Sequence, residues 1–229
     1  MGAVRWVVLR GMGVSEEMKH AVHGWKSMGA KGIFWDDAGF DYRVTRERQS
    51  QMLDFCHELN LACIMNAWNP DDVMGGSDTK MSSSDIYLLE SFIISNNEYK
   101  SLEDWKSKSD KCSKYRQQLG VQMACLSSGS TPISSTFNKS DHFTQAWFGA
   151  AMYSFDFFQA TDINYSATDN TVYFFPNISD DYGKKFESNE VEQGDAKQGN
   201  QYYRKTNSWT LSINGDGSTW GYGQFSQDQ

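Results

Sequence analysis

KGIFWDD, from Lys31 to Asp37, is a short apolar run that ends in two acidic residues. A second run of the same kind, IYLLES from Ile86 to Ser91, also passes from apolar residues into a carboxylate, Glu90. Short runs rich in β-branched and aromatic residues are typical of buried strands. The sequence therefore predicts two strands that each deliver an acidic side chain at the carboxyl end.

Strands and helices are predicted to alternate on both sides of these two runs. Thr45 is a predicted helix N-cap, and so is Ser15, which precedes two glutamates that suit the first turn of a helix. A strand–helix alternation predicts a parallel sheet with right-handed crossovers. The predicted strands span 4–9, 32–35, 61–66, 86–89, 121–126 and 156–159, and the predicted helices span 15–28, 45–59, 101–119 and 141–153.

The fold class predicted from this order is α/β, in the form of a (β/α) TIM-barrel-like domain. Only six strands of the βα type are found, fewer than the eight of a closed barrel, so the barrel is expected to be incomplete or irregular. Residues 1–165 are assigned to this catalytic barrel. Residues 166–229 are assigned to an irregular C-terminal segment with β-strands near 202–204 and 208–214, which packs on the barrel or closes it within one compact domain.

An open, doubly wound sheet is the alternative fold. It is disfavoured because no glycine-rich phosphate-binding loop follows the first predicted strand. A third possibility is a fragment of a barrel whose missing strands come from another chain.

Composition excludes several classes of partner. The chain has 229 residues, 39% of them hydrophobic and 14% aromatic, which suffices for a packed core. The net charge of −8 and the scattered lysines and arginines predict no nucleic-acid partner. The absence of a long apolar run predicts no membrane partner, and the first thirteen residues, 1–13, do not form a signal peptide.

Cysteine and histidine spacing predicts no metal site and no cofactor. None of the four cysteines forms a CxxC pair, no histidine lies at zinc-ligand spacing to them, and the histidines fall on helices away from strand ends. The cysteines are expected to be buried free thiols, whereas three N-x-S sequons favour an extracellular, cell-surface or virion location, so the compartment and the oligomeric state stay open. The cysteines are Cys56, Cys63, Cys112 and Cys125, and the sequons begin at Asn138, Asn164 and Asn177.

Asp36 and Glu90 are the predicted catalytic pair. Parallel strands bring their carboxyl ends to the same edge of a sheet, which is where barrel active sites lie. Most glycoside hydrolases use two carboxyl groups that face the scissile bond. The longer Glu90, approached through apolar residues, is expected to be the general acid, and Asp36 the nucleophile or base.

Four further residues are predicted to bind substrate. Asn66 ends the third predicted strand and can hydrogen-bond a sugar hydroxyl, and Trp68 just beyond it can stack on a sugar ring. Asp37 is expected to point away from Asp36 if the strand continues, and to hold a sugar hydroxyl. Ser91 is expected to orient Glu90. Each has a plainer interpretation as well, namely a turn, capping or packing residue.

Three motifs together resemble the barrel of polygalactosaminidase-like proteins and related glycosidases. They are GIFWDD (32–37), ACIMN (62–66) and YLLES (87–91), in matching order and spacing. The end of the chain, with Tyr203-Arg204 followed by Trp209 to Asn214, also resembles the terminal hairpin of several glycosidase-like proteins, although the expected Phe and Gly after the arginine are missing. The resemblance spans roughly residues 30–130 and implies a TIM barrel that hydrolyses a polysaccharide or oligosaccharide; a non-catalytic carbohydrate-binding barrel is the alternative.

Overall fold

The structure is a computed structural model of the chain. It describes residues 8–9, 16–131, 142–165, 186–194, 201–206, 209–214 and 224–227. These residues fall into two compact units. Unit 1 consists of 1–90 and 114–124, and unit 2 of 91–113 and 125–229. The boundary expected between residues 165 and 166 lies inside unit 2.

Unit 1 contains a parallel sheet and the helices that connect its strands. Its strands are β1 (Val8–Leu9), β2 (Gly32–Trp35), β3 (Ala62–Asn66), β4 (Ile86–Leu89) and the first residues of β7 (Gln122–Ser128). Its helices are α1 (Glu16–Ser27), α2 (Arg46–Glu58) and α3 (Pro70–Met74), and the second half of α4 (Lys108–Leu119) also belongs to it. The predicted strands and long helices of this region are confirmed to within a few residues, except that only residues 8–9 of the strand predicted at 4–9 lie within the described part of the chain.

Capping residues explain where two of these helices begin. Thr45 caps α2, because its hydroxyl accepts a hydrogen bond from the Arg48 N–H, as predicted. Helix α3 was not expected, since its residues were assigned to a loop. Asn69 caps it through the Asp71 N–H, and Pro70 occupies the first turn, where a missing N–H costs nothing. The expected cap at Ser15 lies outside the described residues.

The parallel sheet keeps the order of the sequence. In unit 1, β2 lies between β1 and β3, β4 follows β3, and β7 follows β4. A chain that moves in one direction across the sheet with right-handed crossovers places its connecting helices on one face. A doubly wound sheet reverses direction at a switch point, and this one does not. The α/β class is confirmed and the doubly wound alternative is not supported.

Closure into a barrel is not found among the described residues. The sheet to which these strands belong has six strands among the described residues, and barrels of this class use eight. The C-terminal strands, expected to pack on the barrel or to close it, pair with each other in an antiparallel sheet of their own, described with unit 2 below.

The two faces of the sheet are buried to different degrees. Residues that point to one side, such as Ile33, Cys63 and Tyr87, are completely buried. Their neighbours on the other side, such as Phe34 and Ile64, are only half-buried. Alternation of this kind is the period-two pattern of a sheet with one face packed against helices and one face open.

Unit 2 combines the end of the parallel sheet with an antiparallel one. It holds β5 (Ile94–Ser95), β6 (Glu98–Tyr99), a π-helical segment at Glu103–Ser107 that runs into α4, α5 (His142–Met152), and β8 (Phe157–Thr161), which neighbours β7. The antiparallel sheet has the order β12-β11-β10-β9, with β9 at Glu192–Gln193, β10 at Gln201–Lys205, β11 at Trp209–Asn214 and β12 at Gln224–Gln227. The turn expected at Asn214–Gly217 lies outside the described residues, except for Asn214.

Arg204 connects the antiparallel sheet of unit 2 to the end of α5 and to the segment around Ser188. Its guanidinium donates to the carbonyl oxygens of Met152 (2.7 Å) and Ser188 (2.9 Å) and to the hydroxyl of Ser154 (2.8 Å). It also lies over the Phe186 ring, 3.9 Å from the centroid. These contacts and its burial give the arginine a structural role.

The state of the cysteines is as expected. Cys56, Cys63, Cys112 and Cys125 are all buried and all free. No helix among the described residues is long and apolar enough to cross a membrane.

Candidate active site

The candidate site is built by three adjacent strands of unit 1. Asp36 directly follows β2, Asn66 is the last residue of β3, and Glu90 directly follows β4. Because these strands are parallel neighbours, their carboxyl ends lie along one edge of the sheet. The predicted convergence of strand ends is thus present in the fold of a single unit.

Strand register places these three side chains on the same face. Trp35 is level with Met65, so one residue further on Asp36 is level with Asn66. Asn66 is in turn level with Leu88, and Glu90 lies two residues beyond Leu88. Side chains two apart along a strand point to the same side. The three polar groups therefore share the half-open face of the sheet.

A hydrogen bond joins the first two of these residues. The amide Nδ2 of Asn66 donates to Oδ1 of Asp36 across 2.8 Å. Asn66 is 9% exposed, which fixes its side chain, while Asp36 is half-buried. The amide fixes the direction of the Asp36 carboxylate.

Asp37 takes a different direction from the one expected for a continuing strand. Strand β2 ends at Trp35, and Asp37 has a positive φ of 54°, a conformation that aspartate tolerates better than most residues. The turn brings Asp37, and not Asp36, to the wall of a pocket. Ser91, two residues after β4, has a similar φ of 55°.

The pocket at this edge is acidic and shallow. Its volume of about 60 Å³ is well below the roughly 300 Å³ at which pockets for small molecules begin, so it can receive only an edge of a larger ligand. Three of the lining side chains are carboxylates, and none is a lysine or arginine. The lining residues are Asp37, Asp41, Tyr42, Asn66, Ala67, Trp68 and Glu90.

The negative charge of this pocket affects the pKa of Tyr42. Its pKa is raised above the ordinary value, first by the charge of Asp37, then by partial burial, by Asp41, by its hydrogen bond to the Asp37 carboxylate and by Asp36. Negative charge nearby disfavours the phenolate, and the hydrogen bond requires the neutral hydroxyl as donor. Tyr42 therefore presents a protonated hydroxyl beside Asp37.

The aromatic wall of the pocket stands on a well-supported loop. Trp68 is 47% exposed and Tyr42 is 53% exposed, so both rings offer faces to solvent. The loop that carries Trp68 is anchored at Ala67, whose carbonyl oxygen accepts a 2.7 Å hydrogen bond from the hydroxyl of buried Tyr87. Exposed aromatic faces on a rigid base are suited to stacking against a sugar ring.

The loop that carries Asp41 and Tyr42 is also held on both sides. The Phe40 N–H donates to Asp72 Oδ2 at 2.9 Å, and the buried Gln49 amide donates to the Ala38 carbonyl oxygen at 2.7 Å. Asp41 and Tyr42 are not among the site residues predicted from the sequence. Their signal was an acidic and aromatic cluster in the loop immediately after a strand-end carboxylate.

The other predicted site residues are placed as follows. Asn66, Trp68, Asp37 and Glu90 line the pocket, and Asp36 contacts it through Asn66. Ser91 is the first residue of unit 2, where its hydroxyl accepts a hydrogen bond from Ser95 at 3.2 Å. The roles predicted for these residues in catalysis and binding stay predictions.

Comparison of the chain with protein-family models and with curated proteins finds no match.

Proposed function

We propose that this protein is a glycoside hydrolase that cleaves a polysaccharide or oligosaccharide with two carboxyl groups. Glu90 acts as the general acid that protonates the leaving oxygen, and Asp36 acts as nucleophile or base. The observation that carries the proposal is the common placement of Asp36, Asn66 and Glu90, at the ends of three adjacent parallel strands and on one face. The resemblance of the three strand motifs to polygalactosaminidase-like proteins supports the same reaction.

The spacing of the strands favours inversion at the anomeric carbon. Adjacent strands lie about 4.8 Å apart, so the backbones of β2 and β4, which flank β3, are separated by about 10 Å, and Glu90 lies two residues, about 7 Å, further along its strand than the level of Asp36. The two side chains therefore have to lean toward each other to face one bond, which favours the wider of the two carboxyl spacings. Inverting enzymes hold their carboxyl groups roughly 6.5–9.5 Å apart, and retaining enzymes about 5 Å apart. Proton NMR of the first sugar released is expected to show the anomer opposite to that of the substrate. Release of the substrate's own anomer would contradict the spacing argument.

The charge of the pocket favours a cationic sugar. Asp37, Asp41 and Glu90 line it without a cationic side chain among the lining residues. Carboxylates attract an ammonium group and repel a uronate. A polymer of amino sugars is therefore the favoured substrate, ahead of neutral glucans, and polygalacturonate is the least favoured.

The experiment compares wild type and Glu90→Gln on such a panel of polymers. Wild type is expected to release reducing ends fastest from a deacetylated galactosamine or glucosamine polymer. Glu90→Gln is expected to lose at least about 100-fold in kcat because the leaving group is no longer protonated, while polymer binding stays within about threefold. Lys80→Gln, a change at an exposed residue that pairs with Asp54, is a control expected to keep full activity.

Asp37 is the competing partner for Glu90, because it lines the same pocket. If Asp36 is the second carboxylate, Asp36→Asn lowers kcat by at least about 100-fold and Asp37→Asn acts mainly on KM. The opposite result would make Asp37 the second carboxylate, and Glu90 would still be the general acid.

A non-catalytic carbohydrate-binding barrel is the second candidate. It is favoured by the small pocket volume and by the exposed rings of Trp68 and Tyr42. Binding of the polymers by wild type with no release of reducing ends from any of them would establish this function in place of hydrolysis.

A further inference from the structure

A second cluster of reactive side chains lies at the other end of the strands from the candidate active site. Cys56 and His57 stand near the end of α2, Cys63 is in the first part of β3, and Asp85 directly precedes β4. The ligand atoms of His57, Cys63 and Asp85 all lie within 4.8 Å of one another. Asp85 is more than twenty residues from the other members in the sequence, and the spacing of His57 and Cys63 matches no metal-binding motif.

Cys56 lies beside this cluster. Its proximity to Cys63, together with burial, raises the pKa of the Cys63 thiol well above its ordinary range. Both cysteines are completely buried. One sulfur atom, one imidazole nitrogen and one carboxylate oxygen make a three-ligand set of the kind that zinc completes with a fourth ligand.

The Asp85 carboxylate is held in position by the backbone of Cys63 and by Ser82. Its Oδ1 accepts from the Cys63 N–H at 2.9 Å, and its Oδ2 accepts from both the N–H and the hydroxyl of Ser82 at 2.9 Å each. His57 Nε2 lies 2.9 Å and 3.0 Å from the two oxygens. Carboxylates that bind metals are oriented by such hydrogen bonds, and a metal ion between His57 and Asp85 would take the place of one shared proton.

Trp35 adds an unsatisfied polar group beside this cluster. Its indole N–H is buried and has no hydrogen-bond partner among the described residues. Trp35 lies on β2, two residues after Ile33, which pairs with Cys63, so the two side chains share one face of the sheet. A buried donor beside a sulfur atom is poorly satisfied by a neutral thiol, a weak acceptor, and better satisfied by a metal-bound thiolate.

From this arrangement we propose that His57, Cys63 and Asp85 form a binding site for one divalent cation of the zinc class. The site joins α2 to β3 and to the start of β4. It lies at the amino-terminal edge of the strands, where a barrel-type sheet carries stability and not catalysis. The bound ion fixes the helix on the buried face of the sheet.

The test uses the full-length protein, reduced and stripped of metal, titrated with Co²⁺ as a spectroscopic probe. Wild type is expected to take up one equivalent, with the intense near-ultraviolet bands of thiolate-to-cobalt charge transfer and visible bands typical of tetrahedral cobalt. Stoichiometric Zn²⁺ is expected to displace the cobalt and to raise the thermal midpoint, because it binds the folded state.

Variants identify the ligands. Cys63→Ser is expected to weaken cobalt binding at least about tenfold and to reduce the charge-transfer band, whereas Cys125→Ser, a change at a buried cysteine of β7, is expected to leave both unchanged. If Cys63→Ser does not fold, His57→Gln replaces it, since His57 is only partly buried and its loss leaves the core packing in place.

Two results would overturn the proposal. One is a wild-type protein with four titratable thiols that shows no saturable cobalt spectrum. The other is a Cys56–Cys63 disulfide found by mass spectrometry in protein isolated without reductant and stable on exposure to Zn²⁺, since sulfur atoms bonded to each other cannot act as thiolate ligands.

Discussion

The amide of Asn66 donates a 2.8 Å hydrogen bond to the carboxylate of Asp36, and this contact ties the ends of β2 and β3 together. In the proposed mechanism Asn66 acts through Asp36, whose carboxylate it orients, so toward Asp36 it is a positioning residue. Its effect on Asp36 can be separated from its effect on folding by comparing two substitutions at position 66, one that adds a charge and one that does not.

Replacing Asn66 with aspartate is expected to make the folded protein less stable as the pH rises. In Asn66→Asp two carboxyl groups at hydrogen-bonding distance share one proton, so the pKa of one of them is raised above its unfolded value. A carboxyl group with a raised folded pKa removes stability above its unfolded pKa. The loss relative to wild type is therefore expected to grow from pH 4 to pH 7 and to reach about 1–3 kcal/mol, measured by urea unfolding at several pH values.

Asn66→Ala is the matched control for this change, because it removes the same donor without adding charge. Its loss of stability is expected to be independent of pH. The activity profile gives a second measurement, since the acid limb of kcat/KM against pH is expected to move to higher pH in Asn66→Asp alone. Parallel pH dependence in the two variants would contradict the role given to the hydrogen bond.

Tyr42 offers a prediction that does not depend on any substrate. The pKa of Tyr42 is raised chiefly by the charge of Asp37 and partly by their hydrogen bond. Asp37→Asn is therefore expected to lower the pKa of Tyr42 toward the ordinary value for tyrosine. The measurement is the near-ultraviolet difference titration between each protein and the same protein carrying Tyr42→Phe, which isolates one tyrosine among the eleven.

The sign of the linked stability follows from the direction of that shift. A phenol whose folded pKa is raised contributes its stabilisation fully below the unfolded pKa of about 10, and loses it as the pH rises through the folded pKa. Asp54→Asn, at an exposed site on α2 whose carboxylate lies near Lys80, is the control expected to leave the Tyr42 titration unchanged. An unchanged titration in Asp37→Asn would show that the two side chains do not interact in solution.

Much of the parallel sheet could be predicted because its local signals agree with its tertiary packing. The runs at 32–35 and 86–89 are β-strands in the structure, and Thr45 caps the helix where it was expected to. In each case one short stretch of sequence carries the signal, and burial of one sheet face reinforces it.

The parts that were missed depend on contacts between distant residues. Helix α3 is short, and its cap at Asn69 is indistinguishable in sequence from an ordinary turn signal. Tyr42 enters the pocket because Asp37 turns at a positive φ, which no periodicity predicts. His57 approaches Asp85 only because α2 packs beside β3, so spacing rules for metal ligands could not find the pair.

Trp68 is expected to contribute to ligand binding and little to folding. Its side chain is 47% exposed, so Trp68→Ala leaves the core intact and is expected to change the free energy of unfolding by less than about 0.5 kcal/mol. Loss of a stacking face worth about 0.5–1.5 kcal/mol is expected to weaken binding of the preferred polymer about 2- to 10-fold in affinity electrophoresis or calorimetry.

The control for Trp68 is Phe157→Ala, which removes an aromatic ring of equal exposure, 49%, from β8. Polymer affinity is expected to be unchanged in this variant. Equal weakening by both changes would indicate non-specific adsorption to aromatic surface and would remove Trp68 from the site.

Gly129 is expected to be irreplaceable for the fold of unit 2. It has a positive φ of 71°, and a Cβ atom added to it would lie 2.2 Å from the Asn97 backbone nitrogen and 2.5 Å from its Cα. Its own N–H donates to the Thr161 carbonyl oxygen at 2.8 Å, so the backbone cannot turn away without losing that bond. Gly129→Ala is therefore expected to cost about 2–4 kcal/mol, from backbone strain together with displacement of the Asn97 segment.

Gly24→Ala is the opposite case, because this glycine lies inside α1 with nothing within 4 Å of the added Cβ, and the change is expected to stabilise by about 0.5–1 kcal/mol. Chemical unfolding of the two variants beside wild type measures both effects, and a Gly129→Ala protein as stable as wild type would show that Asn97 does not hold this position in solution.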